Sequence, residues 1–344
     1  MRKGRGLALK HNSIKRIFHR SMEELWATYE IARVTSLKKA LITLVAKLNI
    51  QVMNRNGFKE PNGVRRRLIN KHNIMLEYFE NRFGEFYKNY QLKETFDDEQ
   101  NRLSDKIWIC WWQGEENAPE VVKCCIESIR RNSGKCEVIL ITDDNYMDYV
   151  NIPEWICEKY REGIITKTNL SDLLRLSLLA RYGGMWIDAT FFCTDSFFLD
   201  TYLNYPLWSI KRPDYLHCSI ASGYFAGYSL ACSYSNRYIF AIIRDFFLEY
   251  WSKSDKLVDY LLVDYMIVLA QRYDYRVKDA FARIEPNNPD CDELLKNLGS
   301  GYSEEIWTKL KKETGLFKLS WKQSFPLSVD GKETFYSRLV DRAL

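Results

Sequence analysis

The spacing of apolar positions changes character once along the chain. Within residues 34–48, Val34, Leu37, Leu41, Leu44, Val45 and Leu48 recur at helical spacing, with Lys39 and Lys47 opposite. Residues 76–90 repeat the pattern with Leu76, Phe79, Phe83, Phe86, Tyr87 and Tyr90, whose default role is packing on one another and on the rest of the chain. The turn-rich stretch "NRNGFKEPNG" (54–63) interrupts this helical region, and "ETFDDEQNRLSD" (94–105) reads as a polar linker. After residue 105 the apolar runs become short and continuous. "KIWICWW" (106–112), "EVILIT" (137–142) and "MWI" (185–187) are expected as buried strands. Between them fall a helix over 118–131 with Pro119 in its first turn, a helix start near Pro153, and a helix over 170–182. Continuous apolar strands separated by helices predict an α/β chain with a mostly parallel sheet covered on both faces. The expected organisation is a helical region over 1–105 followed by an α/β domain over 106–344.

In such sheets ligands bind beyond the carboxyl ends of the strands. Gln113, Asp143 and Asp188 all fall just past predicted strand ends, so they are expected along one rim. The segment "SDLLRLSLLARYGGMWIDAT" (171–190) adds most of the remaining candidates. Thr168 or Asn169 is expected to cap its helix, and Gly183 to end it in a left-handed turn. Asp172 and Arg175 then share a face near the helix N-terminus, where anions are favoured and an arginine favours a phosphate. Gly184 lets the backbone pass closely before the strand. Asp188 and Thr190 are expected to point to one side of an extended segment, with the small Ala189 between them. The ordinary alternatives are a helix-surface ion pair for Asp172 and Arg175, and a turn-capping acid for Asp188. Asp264, inside the apolar "LLVDYM" (261–266), needs a partner or a ligand. Its default reading is a structural acid, and its alternative a role near a ligand.

Composition narrows the class. A chain of 344 residues, 46% hydrophobic and 15% aromatic, is a globular protein of one large or two medium domains and not a disordered one. Nine cysteines without a C-x-x-C pair argue against a disulfide framework and a zinc site, and favour a reducing cytoplasm. No apolar run approaches the length of a membrane span, and no signal-peptide core opens the chain. The net charge of +5 conceals an asymmetry. Residues 1–72 hold 17 Lys/Arg against 4 Asp/Glu (+13), leaving 33 basic and 41 acidic residues (−8) for the remainder. A basic segment beside an acidic body predicts a polyanionic surface as partner; a solvated helical face is the plainer reading.

Taken together, "KIWICWWQGEENAPEVVKCCIES", "EVILITDDNY", "SDLLRLSLLARYGGMWIDAT" and "FKLSWKQSF" (317–325) resemble the bacterial capsular polysaccharide synthesis glycosyltransferases, relatives of the D-x-D sugar transferases. The resemblance covers about 106–335, with 1–105 outside it. It implies a glycosyltransferase A fold that takes a nucleoside diphosphate sugar, UDP-linked by expectation, along the strand-end rim and transfers the sugar to a saccharide acceptor with retention. Carried over by position, Trp112, Gln113, Thr142 and Asp143 would line the nucleoside pocket. Asp172 and Arg175 would contact the donor sugar and diphosphate, with Gly184 and Thr190 nearby. Asp188 holds the first acidic position of D-x-D, near ribose and metal; Thr190 replaces the second acid, which is the direct metal ligand in the relatives. Mg²⁺ or Mn²⁺ is therefore expected with Asp188 as its one protein carboxylate, substrate phosphates completing the shell and Arg175 or Lys167 sharing the leaving-group charge.

The resemblance also implies a lipid-linked saccharide acceptor at the cytoplasmic face of the membrane. The bases Arg2, Lys3, Arg5, Lys10, Lys15, Arg16 and Arg20, with the stripe over 34–48, are expected to hold the chain peripherally on an anionic membrane surface. The competing expectation is that the stripe packs on the catalytic domain. Two other functions fit parts of the chain. One is a catalytically silent sugar-nucleotide binder, with Thr190 marking decay. The other is a nucleic-acid-binding protein using Arg65, Arg66 and Arg67; no nucleic-acid module is present, and a nucleic-acid partner is not expected.

Overall fold

The computed structural model describes residues 21–55, 57, 59–96 and 104–344. The first helical region forms three helices: α1 over residues 21–34, α2 (Leu37–Arg55) and α3 (Asn62–Asn89). The predicted stripe over 34–48 is therefore broken. Val34 ends α1, and the Ser36 hydroxyl accepts the Lys39 amide at 3.3 Å as α2 begins. Nor does the stripe face inward. α2 buries the small residues Ala40, Thr43 and Ala46 against its surroundings and leaves Leu37, Leu41, Val45 and Leu48 exposed. Small side chains permit close helix approach, which large ones would prevent.

The aromatic stripe of α3 does pack inward. Phe79 lies 5.3 Å from the Tyr265 ring, and Tyr87 stacks on Phe246 at 4.6 Å. These residues belong to one continuous core with the helices of the main sheet. A buried polar joint runs beside it: Lys71 Nζ meets Asp259 Oδ2 at 2.7 Å, and His72 bridges the Tyr265 hydroxyl (2.7 Å) and the His217 carbonyl (2.9 Å). Burial holds His72 well down, to about 4, so the imidazole is neutral. Gly57 makes the expected turn before α3, and most of the predicted 94–105 linker lies outside the described residues.

From residue 106 strands and helices alternate. β1 (Lys106–Cys110), α4 (Glu120–Asn132), β2 (Glu137–Ile141), α5 (Tyr146–Tyr149), α6 (Glu154–Arg161), α7 (Lys167–Tyr182) and β3 (Gly184–Ile187) lead into β4 (Phe191–Cys193). There follow α8 (Ser196–Leu203), β5 (Leu207–Ser209), β6 (Ser229–Cys232), α9 (Arg237–Ser252), α10 (Leu262–Tyr273) and α11 (Tyr275–Ala282). The chain closes with α12 (Glu293–Asn297), α13 (Glu304–Glu313), β7 (Leu316–Lys318), the β8–β9 hairpin (Ser328–Val329, Lys332–Glu333) and α14 (Phe335–Val340).

The central sheet has the order β2-β1-β3-β6-β5. β1 pairs in parallel with β2 and β3, while β6 runs antiparallel to both β3 and β5, so four strands share a direction and one is reversed. Alternate residues serve opposite faces. Trp108 and Trp186 join the core under α7 and α9, whereas Ile107, Ile109, Met185 and Ile187 join the core under α4 and α8. Two covered faces explain the unbroken apolar runs. The expected α/β class with a mostly parallel sheet and a helical N-terminal region is what the chain forms.

Two local expectations shift. Pro119 sits at the N-cap of α4 rather than inside its first turn. α7 starts at Lys167 instead of 170, because Thr166 is the cap whose hydroxyl accepts the Asn169 amide. Thr168 and Asn169 are therefore within the first turn, and Asp172 lies more than a turn inside the helix. Gly183, with φ of 66°, ends α7 as expected.

Candidate functional site

The carboxyl ends of β1 and β3 open into a cavity of about 500 Å³. The loop after β1 supplies Trp111, Trp112 and Gln113; the first turns of α7 supply Lys167, Thr168, Ser171 and Arg175; the turn after β3 supplies Asp188 and Thr190. The far wall is the segment from Lys318 to Lys322. Local bonds fix these parts. Trp112 Nε1 donates to Ser171 Oγ at 2.7 Å, tying the β1 loop to α7, and Trp321 packs edge-on to Trp111 at 5.7 Å. The buried N–H groups Trp111 Nε1 and Arg175 Nε have no hydrogen-bond partner among the described residues. Buried donors in a cavity wall are costly unless a ligand meets them.

Lys318 organises the acidic corner. Its backbone pairs with Phe191 on β4, and the Leu319 amide donates to the Thr190 carbonyl at 2.8 Å. The ammonium then sits 3.3 Å from Asp188 Oδ2 and donates to Thr190 Oγ1 at 2.5 Å. Trp186 Nε1 reaches the other oxygen, Asp188 Oδ1, at 3.3 Å. Asp188 and Thr190 do serve one site, but by a turn and not an extended segment: the Phe191 amide closes it onto the Asp188 carbonyl at 3.1 Å.

A second cavity of about 360 Å³ adjoins the first, sharing Thr168, Arg175 and Asp188 with it. Asp172 and Asp264 line this one, with Arg212, Tyr215 and Tyr228 across from them. Arg175 bridges the two spaces. It meets Asp172 Oδ1 at 3.2 Å, lies over the Trp186 ring at 5.2 Å and donates to the Gly227 carbonyl. A β-carbon at residue 227 would stand 3.1 Å from Asp264 Oδ1 and 3.4 Å from Arg175 Nη1, a tight fit that would press on both side chains. Burial pushes the Asp172 carboxyl up to about 7; Arg175 opposes the shift, while Asp264 and Asp188 add to it. Asp264 is raised as well, again chiefly by burial and against the Ser219 hydroxyl that donates to it at 2.6 Å.

The rim brings together most of the sequence candidates and separates others. Trp112, Gln113, Arg175, Asp188 and Thr190 line the first cavity. Asp172 lines the second instead, more than a turn inside α7. Asp143 does not line either cavity; it pairs with Lys167 and donates its amide to the Trp112 carbonyl at 2.9 Å. Thr142 builds the turn after β2, its hydroxyl accepting the Asp144 amide at 3.2 Å. Gly184 begins β3, at the far end from Asp188 and outside the lining of both cavities; with φ of 89° and an added β-carbon only 2.3 Å from the Lys106 carbonyl oxygen, it allows the close backbone approach expected of it. Lys318 and Trp321 also line the first cavity, although the sequence pattern does not single them out. They lie inside "FKLSWKQSF", but nothing in the local spacing pairs them with a segment more than a hundred residues earlier.

The two cavities differ in charge. Lys167, Arg175, Lys318 and Lys322 face one carboxylate, Asp188, around the first, which suits a polyanion. A divalent cation is poorly served by the same residues. One carboxylate and one hydroxyl stand at the motif with an ammonium between them, and no three His, Cys, Asp or Glu converge among the described residues.

The molecule is thus an α/β protein with a cationic strand-end cavity opening beside a second one in which Asp172 and Asp264 meet Arg175 and Arg212. The family model described as capsular polysaccharide synthesis protein matches residues 55–339, and the chain belongs to this family. No curated protein and no solved structure was found to match it.

Proposed function

We propose that the chain is a glycosyltransferase with a glycosyltransferase A fold, acting in the synthesis of a capsular or other cell-surface polysaccharide. The donor is a nucleoside diphosphate sugar, UDP-linked by preference, with its diphosphate in the first cavity. The acceptor is a saccharide, lipid-linked at the cytoplasmic face of the membrane, whose hydroxyl enters through the second cavity. The observation carrying this reading is the junction of the two spaces at Arg175 and Asp188, one cationic and one lined by Asp172 and Asp264.

As the bond from the sugar to the diphosphate breaks, Arg175, Lys167 and Lys318 neutralise the charge growing on the leaving oxygen. Burial of Arg175 strengthens its contribution, because little water competes with it. The acceptor oxygen bonds to the same anomeric carbon on the face the diphosphate leaves, and its proton departs with the diphosphate. This front-face course retains configuration and requires no covalent nucleophile. A divalent cation, if bound, would supply further charge through Asp188; the residues at the motif do not fit one on their own, and no step is assigned to it.

Donor hydrolysis and transfer assays with Asp188→Ala and Arg175→Ala test the assignment. Each variant should remain folded by circular dichroism and lose activity by roughly a hundredfold or more. Turnover near wild type in either variant would remove that residue from the site. Tight donor binding by the unmodified protein without any sugar release would instead favour the silent sugar-nucleotide binder.

A further inference from the structure

α2 presents to solvent the side chains that a helix ordinarily buries. Leu37, Leu41, Val45, Leu48 and Val52 are each 48–65% exposed and follow one another at intervals of four, four, three and four. That spacing keeps them on a single face about 22 Å long, at 1.5 Å per residue. α1 adds Met22, Leu25 and Tyr29, all more than half exposed. The Lys47–Glu24 ion pair at 2.8 Å holds α1 alongside α2. The hairpin cannot simply swing inward to hide these residues. Its opposite face is already committed, with Ala40, Thr43, Ala46 and Met53 buried and Lys47 donating to the Val258 carbonyl at 3.0 Å. Monomeric proteins seldom leave so contiguous an apolar stripe uncovered.

Bases predominate around it. Lys38 is exposed within the stripe and α2 contains no acidic residue, while of the acids of α1 Glu24 is paired with Lys47, Glu30 is buried with Arg33 and Arg82, and Glu23 stands beside Met22. Exposed Arg66 and Arg67 flank it, Arg67 donating to Asn49 at 3.0 Å. Residues 1–20 contribute seven more bases and no acid by sequence. Among the described residues no helix is long and apolar enough to cross a bilayer. We infer that the α1–α2 hairpin is a docking face for an anionic lipid surface, its leucine and valine stripe entering the interface while the flanking lysines and arginines meet lipid phosphates. A second copy of the chain is a poorer occupant, since self-pairing would bring these like charges together. The hairpin precedes the family match, which starts at residue 55, the last residue of α2. It is nevertheless joined to the second cavity: Ala46, Met53 and Leu68 cluster with Leu216, which lines that cavity.

The test is co-sedimentation of the full chain with phosphatidylcholine vesicles, with and without phosphatidylglycerol, beside a Leu41→Gln/Val45→Gln/Leu48→Gln variant. The substituted side chains point to solvent, so the variant should keep the wild-type circular dichroism spectrum. Binding is expected only with the anionic lipid, weakening with salt, and the variant should bind at least about tenfold more weakly. Equal binding by the variant, or no binding of the full chain to anionic vesicles at low salt, would overturn the inference. So would light scattering that shows a dimer which the same substitutions dissociate, because the face would then join two copies. None of these readouts depends on sugar transfer.

Discussion

Replacing Lys318 with methionine isolates the least expected part of the site. Methionine preserves the length of the stem, which runs beside the Phe191 and Tyr228 rings with its ammonium 5.4 and 5.5 Å from their centroids. What disappears is a positive charge 3.3 Å from Asp188 and hydrogen-bonded to Thr190. Two unit charges about 4 Å apart interact by roughly 4 kcal/mol at the effective dielectric of a partly exposed site. Lys318 is about a fifth exposed, so screening reduces this. Losing one pre-positioned stabiliser of a developing anion typically lowers kcat by about a hundred- to a thousandfold, or roughly 2.7–4 kcal/mol. The assay is release of sugar from the donor, with and without acceptor, measured in chelator and in added Mg²⁺ or Mn²⁺. The wild type should keep most of its activity in chelator, and Lys318→Met should lose about two orders of magnitude in either condition. Lys318→Arg should recover part of it. A wild type inactive in chelator and restored by metal, with Lys318→Met unimpaired, would refute the reasoning: a metal would then hold the position and the lysine would be incidental.

Two further outcomes follow from buried groups. Lys71→Met leaves Asp259 ionised without its partner in a buried site, where Lys71 and Lys47 hold the carboxyl down at about 2 against burial; denaturant unfolding should show a loss of about 3–5 kcal/mol, most of it recovered in Lys71→Met/Asp259→Leu. No recovery in the double variant would mean that packing, not the stranded charge, causes the loss. Asp172, raised to about 7 from an ordinary 3.8, binds a proton in the folded state that the unfolded chain has already released between those values. Its contribution to stability therefore falls as pH rises from about 4 to 7 and levels off above. Asp172→Asn should match the wild type near pH 4 and exceed it increasingly up to pH 7; a gap independent of pH would contradict the shift.

Much of the framework could be read from residue order alone. The short apolar runs within 106–112, 137–142 and 185–187, set between helices, pointed to strands covered on both faces, and their ends located Gln113 and Asp188 on the rim. The turn at Gly183 was legible because a left-handed conformation selects glycine there. Tertiary structure decided the rest. Helical spacing identifies an apolar face but not its direction, and α2 turned its leucines outward because Ala40, Thr43 and Ala46 pack more closely. Asp172 and Arg175 share a helix face as their spacing implies, yet Asp172 lines only the second cavity while Arg175 lines both, because the loops and strands packed around α7 divide the space there. Lys318 reaches Asp188 only through the pairing of β7 with β4, a contact between segments far apart in the chain. Local pattern reports what each element prefers to bury. Which charges then share a cavity depends on how distant elements pair, and no local spacing encodes that.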